Sequence, residues 1–94
     1  MKVKNIKGTS DNTCKCGSWL KHWEKYSETK AGLCVEKGCM SVATIGAHVR
    51  KDSTTDQSWY IIPLCDSHNK EADEMELFGS PTLVSANVSK TCGA

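Results

Sequence analysis

Trp59-Tyr60-Ile61-Ile62-Pro63-Leu64-Cys65-Asp66-Ser67-His68-Asn69 is the stretch from which the fold can be read. Its first six residues are aromatic, β-branched or aliphatic and predict a strand. A cysteine and a histidine two residues apart follow at once, where the composition turns polar, so the strand ends on a pair of metal-ligand side chains. A second local pair, Cys34 and Cys39, lies upstream with Gly32 and Gly38 around it, which suits a knuckle whose backbone bends tightly between two ligands. Zinc takes four tetrahedral sulfur and nitrogen ligands, usually as two local pairs that the fold brings together. The spacing therefore predicts a Cys3His site of Cys34, Cys39, Cys65 and His68. With four protein ligands it has no open position for substrate and is structural.

The residues around these pairs predict the remaining elements. Ser41 to Val49 carries Val42, Ile45 and Val49 and predicts a strand, with Gly46 marking a bulge. Arg50 to Ser58 is polar and charged, so the two strands form a hairpin with a long solvated loop. From Asp66 to Phe78 the residues Glu, Ala, Asp, Met and Leu predict a helix that stops at Gly79-Ser80-Pro81. Thr82 to Val88 predicts a short strand. Upstream, Trp19, Leu20, Trp23 and Tyr26 fall on one face of a helix at about Ser18 to Glu28, behind a Gly17-Ser18 cap. The expected architecture is one α+β domain over 1–94. A zinc-stabilised treble clef (knuckle, hairpin, helix) occupies about 32–78, with an N-terminal segment and helix at 1–30. A C-terminal strand at 82–92 pairs with the first segment. In so small a domain the three tryptophans are expected in the core.

Composition narrows the functional classes. A chain of 94 residues with 38% hydrophobic and 6% aromatic residues has a thin supply of core, and a bound metal often supplies the missing stability at this size. The formal charge of +1 excludes a basic nucleic-acid coat, so contact with phosphates would rest on local clusters such as Arg50 and Lys51 or Lys2, Lys4 and Lys7. No run approaches the roughly 18 apolar residues of a membrane span, and the first residues lack the apolar core of a secretory signal. The expected compartment is the reducing cytoplasm, where clustered cysteines hold metal more often than they form disulfides.

Cys14, Cys16 and Cys92 form a second group. With the two ends of the chain together they would bind a second zinc, His22 being the nearest fourth ligand; free thiols or a disulfide from Cys92 are the alternatives.

Gly46-Ala47-His48-Val49, followed by the loop, the Trp59 to Leu64 strand and Cys65-Asp66-Ser67-His68-Asn69, resembles the HNH or His-Me finger family, in its zinc-containing treble-clef branch. The resemblance covers about Cys34 to Met75. It implies a nuclease in which His48, at the end of the first strand, is the general base that activates water against a phosphodiester. Asn69 would then help to hold a catalytic Mg2+ or Mn2+. A neutral imidazole and a hard cation are suited to those tasks. The family's acidic or histidine metal ligand just before the base is here Ala47, whose methyl group coordinates nothing. Asp73, one helical turn after Asn69, is the substitute, or the catalytic metal is lost. The alternative is a non-catalytic zinc-finger module that contacts DNA, RNA or a protein, with His48 serving as a buried structural histidine.

Overall fold

In a computed structural model, the structure describes residues 2–6, 14–51, 56, 58–69, 74–79, 81–88 and 91. The elements in chain order are β1 (Lys2–Asn5), α1 (Trp19–Ser27), β2 (Ile45–Lys51), β3 (Tyr60–Leu64), α2 (Asp66–Asn69), β4 (Glu74–Glu76) and β5 (Val84–Ser85). The strands form one antiparallel sheet in the order β4-β1-β2-β3-β5.

The predicted hairpin is present as β2–β3 with shifted bounds: its first strand begins at Ile45 rather than Ser41 and runs through Arg50 and Lys51, which the sequence assigns to the loop. Its ladder runs without interruption from Ile45 opposite Leu64 to Val49 opposite Tyr60, so Gly46 is not a bulge. Gly46 serves a different purpose. A Cβ on it would collide with the backbone of Trp19 and Leu20, so the missing side chain lets α1 lie directly on β2. The helix itself matches the sequence reading. Ser18 caps it, its Oγ accepting from the Lys21 amide at 3.1 Å, and Glu28 ends it in the left-handed conformation at φ 58°.

Strand alternation divides the core between the two faces of the sheet. Val3, Ala47, Val49, Ile62, Leu64 and Met75 pack with Cys34 and Cys65 on one face. Ile61 and Val84 pack with Trp23 on the other, under α1. Trp23 also donates its indole N–H to the Thr82 carbonyl at 2.8 Å, which ties α1 to the C-terminal segment.

Three expectations are corrected. The helix expected over Asp66 to Phe78 is a single turn that ends at Asn69, and residues 74–76 are a strand. The reason is the alternation of Glu74, Met75, Glu76 and Leu77: the second and fourth are buried, and Met75 lies opposite Val3 of β1. Burial of one face every second residue overrides the helical propensity of Glu, Met and Leu. The C-terminal strand β5 pairs with β3 rather than with the first segment, which lies inside the sheet as β1 between β4 and β2. Val3, fully buried, is what draws that Lys-rich segment inward. Trp59 is 43% exposed, because aliphatic side chains fill the faces of the sheet instead.

Because the α1–β2 contact is backbone against backbone, Gly46→Ala should destabilise the fold by about 3 kcal/mol. Urea unfolding at saturating zinc measures this, and a loss under about 0.5 kcal/mol would refute the close-approach argument.

Candidate metal centre

The knuckle is built from a turn in which the Cys39 amide donates to the Glu36 carbonyl at 3.1 Å, with Gly38 at φ 85° taking the conformation that L side chains disfavour. The Cys34 amide donates to Ser41 across its base at 2.8 Å. The extension of β4 holds the outer side: the Lys37 amide donates to Glu76 and the Phe78 amide to Val35, each at 2.8 Å. On the other piece of chain, the Asn69 amide donates to the Cys65 carbonyl at 3.0 Å and closes the single turn of α2. That turn swings His68 back over Cys65.

The ligand atoms of Cys34, Cys39, Cys65 and His68 consequently all lie within 4.8 Å of one another. The Cys39 and Cys65 sulfurs are 3.8 Å apart, and His68 Nδ1 is 3.7 Å from Cys34 Sγ and 3.1 Å from Cys65 Sγ. A tetrahedral zinc at standard bond lengths sets neighbouring sulfurs about 3.8 Å apart and sulfur and nitrogen about 3.6 Å apart, so the group can hold one ion with small adjustments. His68 Nε2 lies 3.1 Å from Glu36 Oε2. A carboxylate there accepts a hydrogen bond from Nε2–H and leaves the Nδ1 lone pair directed at the sulfurs, the usual support of a zinc-binding histidine.

The thiols of this cluster differ. Burial pushes Cys34 up to about 11, against hydrogen bonds from the Cys65 and Glu36 amides. Burial also raises Cys65, but hydrogen bonds from the His68 amide and ring, and from Cys39 and Cys34, outweigh it and bring that thiol to about 7. A cation that takes all three sulfurs as thiolates must displace protons held at quite different strengths.

Of the second predicted group, Cys14, Cys16 and His22 come together, their ligand atoms also within 4.8 Å of one another. Cys92 lies outside the described residues.

The residues singled out by the HNH resemblance are distributed differently. His48 is 4% exposed and points to the α1 side of the sheet, its ring edge-on to Trp19 at 4.5 Å and to Trp59 at 6.2 Å. Its Nε2 has no hydrogen-bond partner among the described residues. Burial, aided by the His22 imidazole, lowers its pKa from 6.5 to about 4. Asn69 is anchored on the opposite face, its carbonyl accepting from the Asn5 side-chain amide; Asn5 shares that face with its ladder partner Val49. The sheet therefore separates the two residues. Ala47 is 1% exposed within the core, and Asp73 lies outside the described residues. Arg50 is exposed, whereas Lys51 lies 3.5 Å from Asp56 and over the Tyr60 ring. Asp56, held below the usual carboxylate range by the Tyr60 hydroxyl and the Ser58 amide, braces the end of the hairpin.

The sequence reading missed Glu36 and the carbonyl of Ser85, which supports His22. A carboxylate inside the Cys34–Cys39 knuckle was a visible signal for the first; a backbone carbonyl leaves none. No family model matches the chain, and neither a curated protein nor a solved structure matches it.

Glu36→Ala removes the acceptor for His68 and should weaken zinc binding by about ten- to a hundredfold, read by competition with a chromogenic chelator; unchanged affinity would remove Glu36 from the site. His48 gives a pH dependence. Its folded pKa lies below the unfolded value, so the stability tied to its neutral form is present above pH 6.5 and is lost as the pH falls toward 4. At saturating zinc, His48→Leu should reduce the stability lost between pH 7 and pH 5 by about 2 kcal/mol relative to the unmodified chain. Equal pH profiles for the two proteins would contradict the burial of a neutral imidazole.

Proposed function

We propose that this chain is a zinc-organised, non-catalytic domain that binds single-stranded nucleic acid on the α1 side of its sheet. The observation that carries the zinc half is the convergence of Cys34, Cys39, Cys65 and His68, with Glu36 presetting the tautomer of His68. The ion's task is structural, since four protein side chains fill its coordination shell and it joins the knuckle to the end of β3. Three thiolates with a divalent ion leave one negative charge at that centre, on the face of the sheet away from Arg50.

The nucleic-acid half rests on what lies beside α1. Lys4 and Arg50 are ladder partners, both exposed, and by alternation share a face with His48. The Trp59 ring, packed edge-on to His48, stands half open to solvent on that side. A cation pair next to an exposed aromatic plane suits an unpaired strand, the plane stacking a base and the cations meeting phosphate. Glu74, opposite Lys4, bounds the patch at its outer edge. No hydrolysis is assigned to the domain, because His48 and Asn69 are too divided by the sheet to serve one metal.

The test is made on the full chain purified without added metal. Cys65→Ser should lose the zinc of this site and unfold, and an unmodified chain that stays folded and metal-free would overturn the zinc half. A labelled single-stranded oligonucleotide at low salt should bind with an affinity that falls with salt. Trp59→Ala should weaken binding about tenfold or more, and Arg50→Ala should reduce the salt slope by about one. Absence of binding to the zinc-loaded protein would overturn the nucleic-acid half alone, and magnesium-dependent nicking lost in His48→Ala would overturn its non-catalytic character.

A further inference from the structure

The segment before α1 and the first turn of that helix hold a second set of ligands. Cys16 Sγ lies 3.7 Å from His22 Nδ1, close to the roughly 3.6 Å between sulfur and nitrogen on one tetrahedral zinc. His22 is fully buried between Trp19 and Tyr26, with ring centroids 5.0 and 5.1 Å away. Its Nε2 lies 2.8 Å from the Ser85 carbonyl. A carbonyl only accepts, so Nε2 carries the proton and Nδ1 presents its lone pair to the cysteines. Cys14 completes the group and touches the Ser18 carbonyl at 3.6 Å. Two thiolates neutralise a divalent ion, so such a centre places no net charge beside the buried ring.

The two clusters differ in a way that decides their behaviour. In the first, Cys34 and Cys65 are buried and four side chains close the shell. In the second, three side chains of the described residues converge, and both cysteines are half-exposed. Solvent and chelators reach the second ion through those sulfurs.

We infer that Cys14, Cys16 and His22 form a second zinc centre, loaded independently of the first and released before it, which clamps the segment entering α1 onto the helix and, through Ser85, onto β5. Its removal leaves the hairpin and knuckle in place and loosens the Cys14 to Ser18 segment.

Zinc alone is the probe, on the full chain kept reduced. Metal per chain is counted by mass spectrometry while chelators of rising strength are applied, and trypsin cleavage after Lys15 is followed alongside. The expected course is two zinc ions, then one, then none, with cleavage at Lys15 accelerating at the first step and unfolding only at the second. The double variant Cys14→Ser/Cys16→Ser, at positions half-exposed to solvent, should fold, bind a single zinc and be cleaved at the fast rate from the outset. One zinc in the unmodified chain, two in the double variant, or simultaneous release of both ions would each overturn the inference. Because the double variant keeps Cys34, Cys39, Cys65 and His68, its remaining zinc reports on the first centre, and failure here is distinguishable from failure of that site.

Discussion

The convergence of Cys34 and Cys39 with Cys65 and His68 governs this structure, because it joins two pieces of chain that share little apolar surface. The knuckle offers Cys34 and half-buried Val35 to the core, and α2 is one turn long with no buried residue. Neither has enough area to hold its place through hydrophobic burial alone. Both are set instead by backbone hydrogen bonds, to the carbonyls of Ser41 and Glu76 and from the Phe78 amide on one side, and to the Cys65 carbonyl on the other. A cation held by these four side chains would convert that preset geometry into a cross-link.

The sheet then gives the molecule two unlike sides. One carries the knuckle and the larger apolar cluster; the other carries α1, the three-ligand group and the aromatic series from Trp59 through His48 and Trp19 to His22 and Tyr26. Gly46 sets how closely that second side is built, since α1 can sit this near β2 only where no Cβ intervenes. The same proximity buries His48 and suppresses its protonation. A histidine that reads as a catalytic base along the chain is thereby placed beside Trp19 and Trp59, with 4% of its surface exposed.

The outcome for each segment follows from where its deciding contacts lie. The ligand spacing of the first cluster, the Ser18 cap and apolar stripe of α1, and the β-rich runs of the hairpin could all be read from the chain, because ligand chemistry, capping and periodicity act within a few residues. The zinc-compatible grouping of Cys14, Cys16 and His22 could be suspected from residue type but not established, since nothing local places Nδ1 of His22 toward sulfur. That orientation comes from Ser85, on the other side of the chain.

Local chemistry thus dictated which side chains are able to hold metal and which stretches extend or coil. Long-range pairing dictated the rest. Residues 74–76 became a strand because β1 presented an edge with Val3 facing Met75, and β1 became interior because β2 and β4 flanked it. His48 and Asn5, whose side chain holds the Asn69 carbonyl, were sent to opposite faces because a pleated sheet alternates its side chains, and only the ladder register says which residue goes to which side. Such choices depend on surfaces supplied by remote parts of the polypeptide, whose free energy exceeds the small intrinsic preferences written in any short segment.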